Sequence, residues 1–459
     1  MASEATWNPG LWSAAGGAVP AGWSLIPFSE LLESPKSLAV GVMYPGENVQ
    51  HGTPLIRVGD VGDGGVVRTP TMMISESVHQ DYRRTQLQGN ELLITLVGKP
   101  GVCVIARPEM RGWNIARALA AARLKSPELR SYVKAVLESS VMRNIIVSML
   151  NTTVQPTLNL KEIKTLPMPI PDDAEEAVAI GATAELFNAR IAILQEASDT
   201  LEAIAQALFK SWFVDFNPVH ARAAGREPEG LDAATAALFP TEFEESDLGA
   251  IPKGWRTDEI GKVVPCVGGA TPSTKESRYW DAPSHHWVTP KDLSDLHSPV
   301  LIDTVRMISD AGLAKISSGL LPVGTLLLSS RAPIGYLAIA HVPTAINQGF
   351  IAMLPSGEVT ASFLLFWARH NMDAIKQKAN GSTFMEISKS AFRPIRLAVP
   401  PKHVIDAYDS IAKPLLNRIA ENERQRENLA QMRDTLLPRL ISGKLRIPVA
   451  ESLSVEVSS

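Results

Sequence analysis

Two stretches of the chain repeat an apolar residue at every seventh position. Ile180, Phe187, Leu194, Leu201 and Leu208 keep that spacing, with Ala184, Ile191, Ala205 and Trp212 on a companion seam. Tyr408, Leu415, Asn422, Leu429 and Leu436 keep it again, with Ala412, Ile419 and Leu440 beside them. Heptads sustained this far predict coiled-coil helices of about 40 residues, each roughly 60 Å long at the rise of an α-helix. One isolated rod would leave its stripe in water, so the two helices are expected to bury each other. Each follows its own globular half, which predicts an antiparallel pair. Asn422 sits at a core position, where an amide costs stability and fixes register. Pro414 removes a ladder donor and predicts a kink or a helix restart near residues 410–414. Arg426 and Arg433 fall on the companion seam, so that end is expected to be exposed or paired with acidic residues of a partner.

Outside the heptads, short β-rich runs alternate with Gly and Pro turns, and helical patterns recur near residues 128–149 and 360–379, which reads as α+β. The runs also repeat. Val19-Pro20-Ala21-Gly22-Trp23 returns as Ile251-Pro252-Lys253-Gly254-Trp255. Glu91-Leu92-Leu93-Ile94 with Gly101-Val102-Cys103-Val104-Ile105-Ala106 returns as Thr325-Leu326-Leu327-Leu328 with Gly335-Tyr336-Leu337-Ala338-Ile339-Ala340. Thr152-Thr153, Lys161-Glu162-Ile163 and Leu166-Pro167-Met168 are echoed by Ser382-Thr383, Ala391-Phe392-Arg393 and Ile395-Arg396-Leu397. A repeat of this length is a whole domain plus helix, so a pseudo-twofold molecule is expected to meet something with two related parts.

Charge sharpens that picture. The net charge is −4, but residues 20–171 hold 16 Lys and Arg against 12 Asp and Glu, and residues 251–401 hold 15 against 11. Residues 172–250 hold 4 against 16. Two matching positive blocks on an acidic connector fit two nucleic-acid-facing halves. Cys103 and Cys266 have neither CxxC nor histidine spacing and read as buried small apolar residues. No basic leader opens the chain, and Arg331 and Pro333 interrupt its most apolar run, so a soluble cytoplasmic protein without a membrane span is expected.

Catalytic motifs are missing from the sequence. Adenine amino-methyl transfer needs an Asp/Asn-Pro-Pro-aromatic turn to hold the exocyclic amine and stack on the flipped base, and Asn217-Pro218-Val219 lacks the second proline and the ring. There is no GxxxxGK[ST] phosphate loop. Gly59-Asp60-Val61-Gly62-Asp63-Gly64-Gly65 runs on into a strand-like segment and reads as a hairpin turn. Pro171-Asp172-Asp173 has no following acidic-x-Lys element, and His285-His286, read as a surface loop, has no partner at metal-ligand spacing. No catalytic residue, metal or cofactor is assigned.

The segment Ser211-Trp212-Phe213-Val214-Asp215-Phe216, the Gly- and Pro-containing stretch from Asn217, and Ile251-Pro252-Lys253-Gly254-Trp255 together resemble the central region of type I restriction-modification specificity subunits. Leu436-Leu437-Pro438-Arg439-Leu440-Ile441-Ser442-Gly443-Lys444-Leu445 resembles that family's C-terminal conserved region. The resemblance spans about residues 20–447. It implies a target recognition domain at 20–171, a conserved spacer helix at 172–216, a linker at 217–250, a second target recognition domain at 251–401 and a second spacer helix at 402–447, and it leaves outside it an N-terminal lead at 1–19 and a tail at 448–459 expected to be flexible. The implied fold is two similar globular α+β domains separated by two long antiparallel coiled-coil helices.

What the resemblance implies for function is a non-catalytic subunit that recognises a bipartite double-stranded DNA target. It would position two adenine methyltransferase (modification) subunits and, with them, restriction/translocase subunits, leaving S-adenosylmethionine and ATP to the partners. A recognition subunit of a type II-like or phage-exclusion methylation system is the alternative of similar architecture. DNA contacts are expected from loop Arg, Lys, Asn, Gln and Thr side chains, because guanine offers two acceptors to a guanidinium and adenine pairs with an amide. In the first half the candidates are Arg57, Arg68, Arg83, Arg84, Lys99 and Arg111. In the second they are Lys275, Arg278, Thr289, Lys291, Arg331, Asn347, Gln348 and Lys389. Asn347-Gln348-Gly349 corresponds to Ala116-Arg117-Ala118 in the first half and can equally be a structural turn. Trp212, Phe213 and Phe216 are candidates for partner contact or for core, with Trp212 assigned to core.

Overall fold

The computed structural model describes residues 7–62, 65–66, 69–150, 156–381 and 385–447. Arg68, Thr152-Thr153, Ser382-Thr383 and the tail from 448 therefore lie outside the described residues. The chain divides into two compact units, one of residues 1–192 with 428–459 and the other of residues 193–427.

In the first unit, aliphatic runs with every side chain buried make the centre of a four-stranded antiparallel sheet, in the order Leu38–Val40, Leu119–Ala122, Leu92–Thr95, Cys103–Ile105. A second sheet sets Thr53–Ile56 between Met73–Ile74, antiparallel, and Asn114–Ile115, parallel. Trp23–Pro27 pairs antiparallel with Pro167–Pro171. Pro167, Pro169 and Pro171 stand at alternate positions of that two-stranded ribbon, where a missing donor faces away from the partner. Helices Arg130–Leu137 and Ser140–Met149 cover the sheet, the second capped by Ser139 Oγ, which accepts from Met142 N at 3.2 Å.

The second unit repeats this plan. Its larger sheet runs Cys266–Val267, Phe350–Met353, Leu326–Ser329, Leu337–Ala340, and adds Val300–Leu301 in parallel at the far edge. Its smaller sheet sets His285–Val288 between Arg306–Ile308, antiparallel, and Thr344–Ile346, parallel. Arg256–Glu259 pairs antiparallel with Arg396–Val399, as Trp23–Pro27 does with its own partner. His285 and His286 thus lie on a strand rather than in a surface loop, their rings beside Asp310 at 2.6 Å and Thr304 at 3.2 Å. The sequence match of Lys161-Glu162-Ile163 to Ala391-Phe392-Arg393 shifts by one. The capping residues Asn159 and Ser388 correspond, which sets Ile163 opposite Phe392, both fully buried.

The heptad stretches form two 40-residue helices, Ala174–Phe213 and Lys402–Ile441. Pro414 causes no restart: the second helix is uninterrupted, and Pro414 is on its exposed side, where an unpaired carbonyl is solvated. Within the first unit the two helices run antiparallel, with Arg433 Nη1 donating to Asn188 Oδ1 at 2.8 Å and Leu440 and Ile441 sharing a core with Ala177, Ile180 and Ala184. Within the second unit they are antiparallel again, with Asn422 Nδ2 on Ser198 Oγ at 3.2 Å and Tyr408 Oη on Ala205 O at 3.3 Å. Leu194 and Asn422 are buried, while Phe187, Leu201, Leu208, Leu415, Leu429 and Leu436 are half-buried on the seams. Arg426 and Arg433 need no partner chain: Arg426 bonds Glu423 at 2.8 Å within its own helix, and Arg433 bonds Asp434 and Asn188.

The helix Ala174–Phe213 is long and apolar enough, by length and composition, to cross a membrane, with a mean hydropathy of 1.5 over its most apolar 18-residue window. No unbroken apolar run is present there. The Val, Ile, Leu and Phe side chains of this helix raise the mean, while Glu185, Arg190 and Glu196 break the run.

Residues 217–250 are folded rather than a bare linker. Helix Asn217–Ala223 and the hairpin Phe243–Ser246 with Gly249–Pro252 pack onto the end of the first long helix. Trp212, Phe213, Val219 and Phe239 are buried together, Trp212 and Phe239 edge to face at 5.0 Å, so Trp212 and Phe213 are core rather than partner contacts. Phe216 is half-buried against Trp255.

Candidate nucleic-acid interface

In the second unit, one close backbone crossing organises the loops that carry most of the candidate side chains. Gly269 passes so near the strand end at Ile346 that a Cβ there would lie 1.8 Å from the Ile346 carbonyl oxygen, so only glycine fits. Ala270 N then donates to Ile346 O at 3.1 Å, and Asn347 N to Val288 O at 3.0 Å. Ser330 N donates to Gly349 O at 2.8 Å, and Ile387 N to Ser330 O at 3.0 Å. Five segments of the chain are tied together in this way.

Their side chains complete the cluster. Thr271 Oγ1 donates to Gln348 Oε1 at 2.5 Å. Asn347 is half-buried and turned inward, its Oδ1 accepting from Gly349 N at 2.8 Å. Thr289 is likewise committed, its N and Oγ1 donating to Asp292 at 2.8 and 2.6 Å. Arg331 lies beside Glu386 at 3.8 Å. Lys389 is exposed, and a Cβ at Gly268 would lie 3.3 Å from its Nζ. Lys291 is exposed on the short helix Pro290–Ser294 that follows Thr289. Lys275 and Arg278 are exposed further along the loop that leaves Gly269, where Arg278 covers the Tyr279 ring at 5.1 Å and pairs with Glu276 at 3.5 Å. Asn347 and Thr289 therefore shape the loops, while Gln348, Lys389, Lys291, Lys275 and Arg278 present groups to solvent.

The first unit repeats the crossing. A Cβ at Gly41 would lie 2.1 Å from Ile115 O, and Arg117 N donates to Val42 O at 2.9 Å. Arg57 takes the place of Thr289: its N donates to Asp60 at 2.8 Å, as Thr289 does to Asp292, and its Nη2 donates to Thr71 Oγ1 at 3.2 Å. Thr95 and Ser329 are equivalent too, Thr95 Oγ1 donating to Lys99 O at 2.5 Å and Ser329 Oγ to Pro333 O at 2.8 Å. Arg83 and Arg84 are exposed on a turn that Asn114 Nδ2 ties to the same strand end through Tyr82 O at 3.3 Å. Lys99 and Arg111 are exposed on separate turns.

Arg117, exposed at the position equivalent to Gln348, was not among the sequence candidates. The pairing of Ala116-Arg117-Ala118 with Asn347-Gln348-Gly349 was the signal for it. Arg306, on the edge strand of the smaller sheet, had no sequence signal at all.

Burial raises both thiols, Cys266 to about 11 and Cys103 further, so neither is a thiolate nucleophile. Among the described residues no group of three or more His, Cys, Asp or Glu could hold a metal ion.

Fold and site together define a duplicated α+β protein in which matching loop clusters, built on the same glycine crossing, present basic and amide side chains to solvent. Residues 252–429 match the family model for the type I restriction modification DNA specificity domain. The chain is 35% identical over 198 residues to the type I restriction enzyme MjaIX specificity subunit of Methanocaldococcus jannaschii, an alignment covering 42% of this chain and 45% of that protein. It is 26% identical over 366 residues to the HindI specificity subunit of Haemophilus influenzae, covering 70% of this chain and 76% of that one. The chain thus spans less than half the length of the first relative and about three quarters of the second. In fold it is similar to the crystal structure of the type I restriction-modification S subunit from M. genitalium, with a TM-score of 0.57 and 14% identity over 92% of this chain and 96% of that one. By that match and those relatives, the chain is similar to type I restriction enzyme specificity subunits.

Proposed function

We propose that the protein is the DNA-recognition subunit of a type I restriction-modification complex, non-catalytic in itself and acting in the cytoplasm. Residues 20–171 and 251–401 are its two target recognition domains, and each reads one part of a bipartite double-stranded target. The paired helices 172–216 and 402–447 are the coiled-coil spacer of a pseudo-twofold molecule. Two adenine methyltransferase subunits and the restriction/translocase subunits bind to it and supply S-adenosylmethionine and ATP chemistry. DNA contacts come from Arg57, Arg68, Arg83, Arg84, Lys99 and Arg111 in the first domain and from Lys275, Arg278, Lys291, Arg331, Gln348 and Lys389 in the second, with Thr289 and Asn347 shaping the loops.

The observation that carries this reading is the matched crossing: Gly41 over Ile115 and Gly269 over Ile346 recur at corresponding strand ends of two modules that share four strands of the larger sheet and all three of the smaller. The loops differ in side chains, as two readers of different sequences must. A second support comes from the first long helix, where Val178, Leu186, Ile193 and Ile204 are exposed, Leu186 at 72%. Apolar side chains left in water on one helix suit coverage by partner subunits.

The test is assembly. The full chain with its modification subunit should methylate adenine in one asymmetric, interrupted DNA sequence and bind DNA with steep salt dependence. Methyl transfer by the isolated chain, or binding indifferent to salt, would contradict the proposal.

A further inference from the structure

The second module carries a cation that is held in place by aromatic stacking rather than by an acid. The guanidinium of Arg306 lies 3.9 Å from the Trp280 ring centroid and 5.3 Å from that of Trp287, and the two indoles pack edge to face at 5.1 Å. Each indole also holds the loop that leaves Gly269: Trp287 Nε1 donates to Ala270 O at 3.3 Å and Trp280 Nε1 to Ser273 O at 3.0 Å. Arg306 is exposed, next to Val305, which is 84% exposed. Its platform is therefore continuous with the loop that bears Thr271 and touches Gln348.

A guanidinium stacked on an indole keeps its hydrogen-bonding edge free, and the ring fixes the plane of the donors. A phosphate contact asks only for positive charge, whereas a forked contact to guanine O6 and N7 asks for a fixed plane. The comparison of the two modules points the same way. Ile308 pairs with His285 as Ile74 pairs with Thr53, so the first-module equivalent of Arg306 is Met72, which lacks both the charge and the platform. A contact to the common DNA backbone would suit both modules, while a base reader belongs to one.

We propose that Arg306, oriented by Trp280 and Trp287, is a specificity-determining residue of the second module and reads a guanine through its paired major-groove acceptors. This rests on the DNA-recognition reading above. To test it, the full chain and its modification subunits are expressed in a host free of adenine methylation, and the methylated motif is read from the genome for the wild type, Arg306→Lys and Arg306→Ala. The wild type must give a two-part motif; if it gives none, the recognition reading fails, and this inference with it. If the wild type does give one, both variants should lose discrimination at one G·C pair, by roughly tenfold to a hundredfold. That pair must lie in the part of the motif controlled by residues 251–401, and the other part must be unchanged. An unchanged motif in the variants, or a methylation level that drops uniformly over all sites with the motif intact, would overturn it. Arg306→Lys keeps the charge and the stem over the indole, so an unfolded Arg306→Ala protein does not remove the test.

Discussion

Gly269 and Ile346 approach so closely that a Cβ on the glycine would stand 1.8 Å from the isoleucine carbonyl oxygen. Backbone cannot yield as the tip of a side chain can, so Gly269→Ala must displace the loop from Ala270 onward. We expect a loss of about 1–3 kcal/mol, the usual cost of overpacking, in thermal unfolding, and relaxed reading of the second part of the target. Gly41→Ala should do the same for the first part, where the distance is 2.1 Å.

Asn422 Nδ2 donates to Ser198 Oγ across the helix pair, but Asn422 Oδ1 is buried without a partner. Asn422→Ala leaves Ser198 buried beside a hole and should cost about 1–3 kcal/mol. Asn422→Leu combined with Ser198→Ala removes both polar groups and should recover that loss in a denaturant titration, because replacing both partners by apolar groups is close to neutral. A double variant as unstable as the single one would show that the amide itself holds the register.

Lys134 is buried at 3% exposure between Glu138 at 3.0 Å and Glu185 of the first long helix at 3.6 Å. Burial works against its ammonium, but the two carboxylates outweigh that and hold its pKa above the ordinary lysine value. Lys134→Met leaves Glu138 and Glu185, each about a third exposed, without their common cation. Solvent screens those acids, so it should cost about 1–3 kcal/mol, measured as a fall in melting temperature at neutral pH.

His341 has its pKa held below the ordinary imidazole value, first by burial and then by the charge of Arg424. Unfolded, the ring takes up its proton near pH 6.5, before the folded protein does. Its contribution to stability is therefore complete above about pH 6.5 and is lost as pH falls through the lower folded value. His341→Gln should flatten the fall in melting temperature between about pH 7.5 and pH 5.5. An unchanged slope would assign that fall to other groups.

The parts of the fold that follow a period were legible in the sequence. Leu194, Ala205, Tyr408, Ala412 and Ile419 stand at heptad positions and are buried, and the order of the repeat reappears as two sheets that share the order of four strands, the second with Val300–Leu301 added. Pro414 misled because helix disruption depends on where the freed carbonyl points, which spacing alone does not tell. Residues 217–250 read as linker because their turn formers are visible and the aromatic pocket that receives Val219 and Phe239 joins the nearby Trp212 to Tyr408, which is far away in the chain. At the site, the arginines and lysines could be named but not sorted. Arg426 serves Glu423 within the helix, Arg57 gives its backbone N to the capping carboxylate of Asp60, and Arg306, on a short edge strand without a motif, is oriented by tryptophans 19 and 26 residues earlier. Which cation faces solvent is decided by tertiary neighbours.

The most direct measurement of the central claim is a module exchange. Residues 20–171 are replaced by the corresponding segment of a type I specificity subunit of known target, the chimaera is assembled with the modification subunits proposed above, and its methylated motif is sequenced. Two independent readers on one chain predict that one part of the interrupted motif changes while the other part and the gap between them stay as they were. A motif altered in both parts, or in neither, would contradict the account.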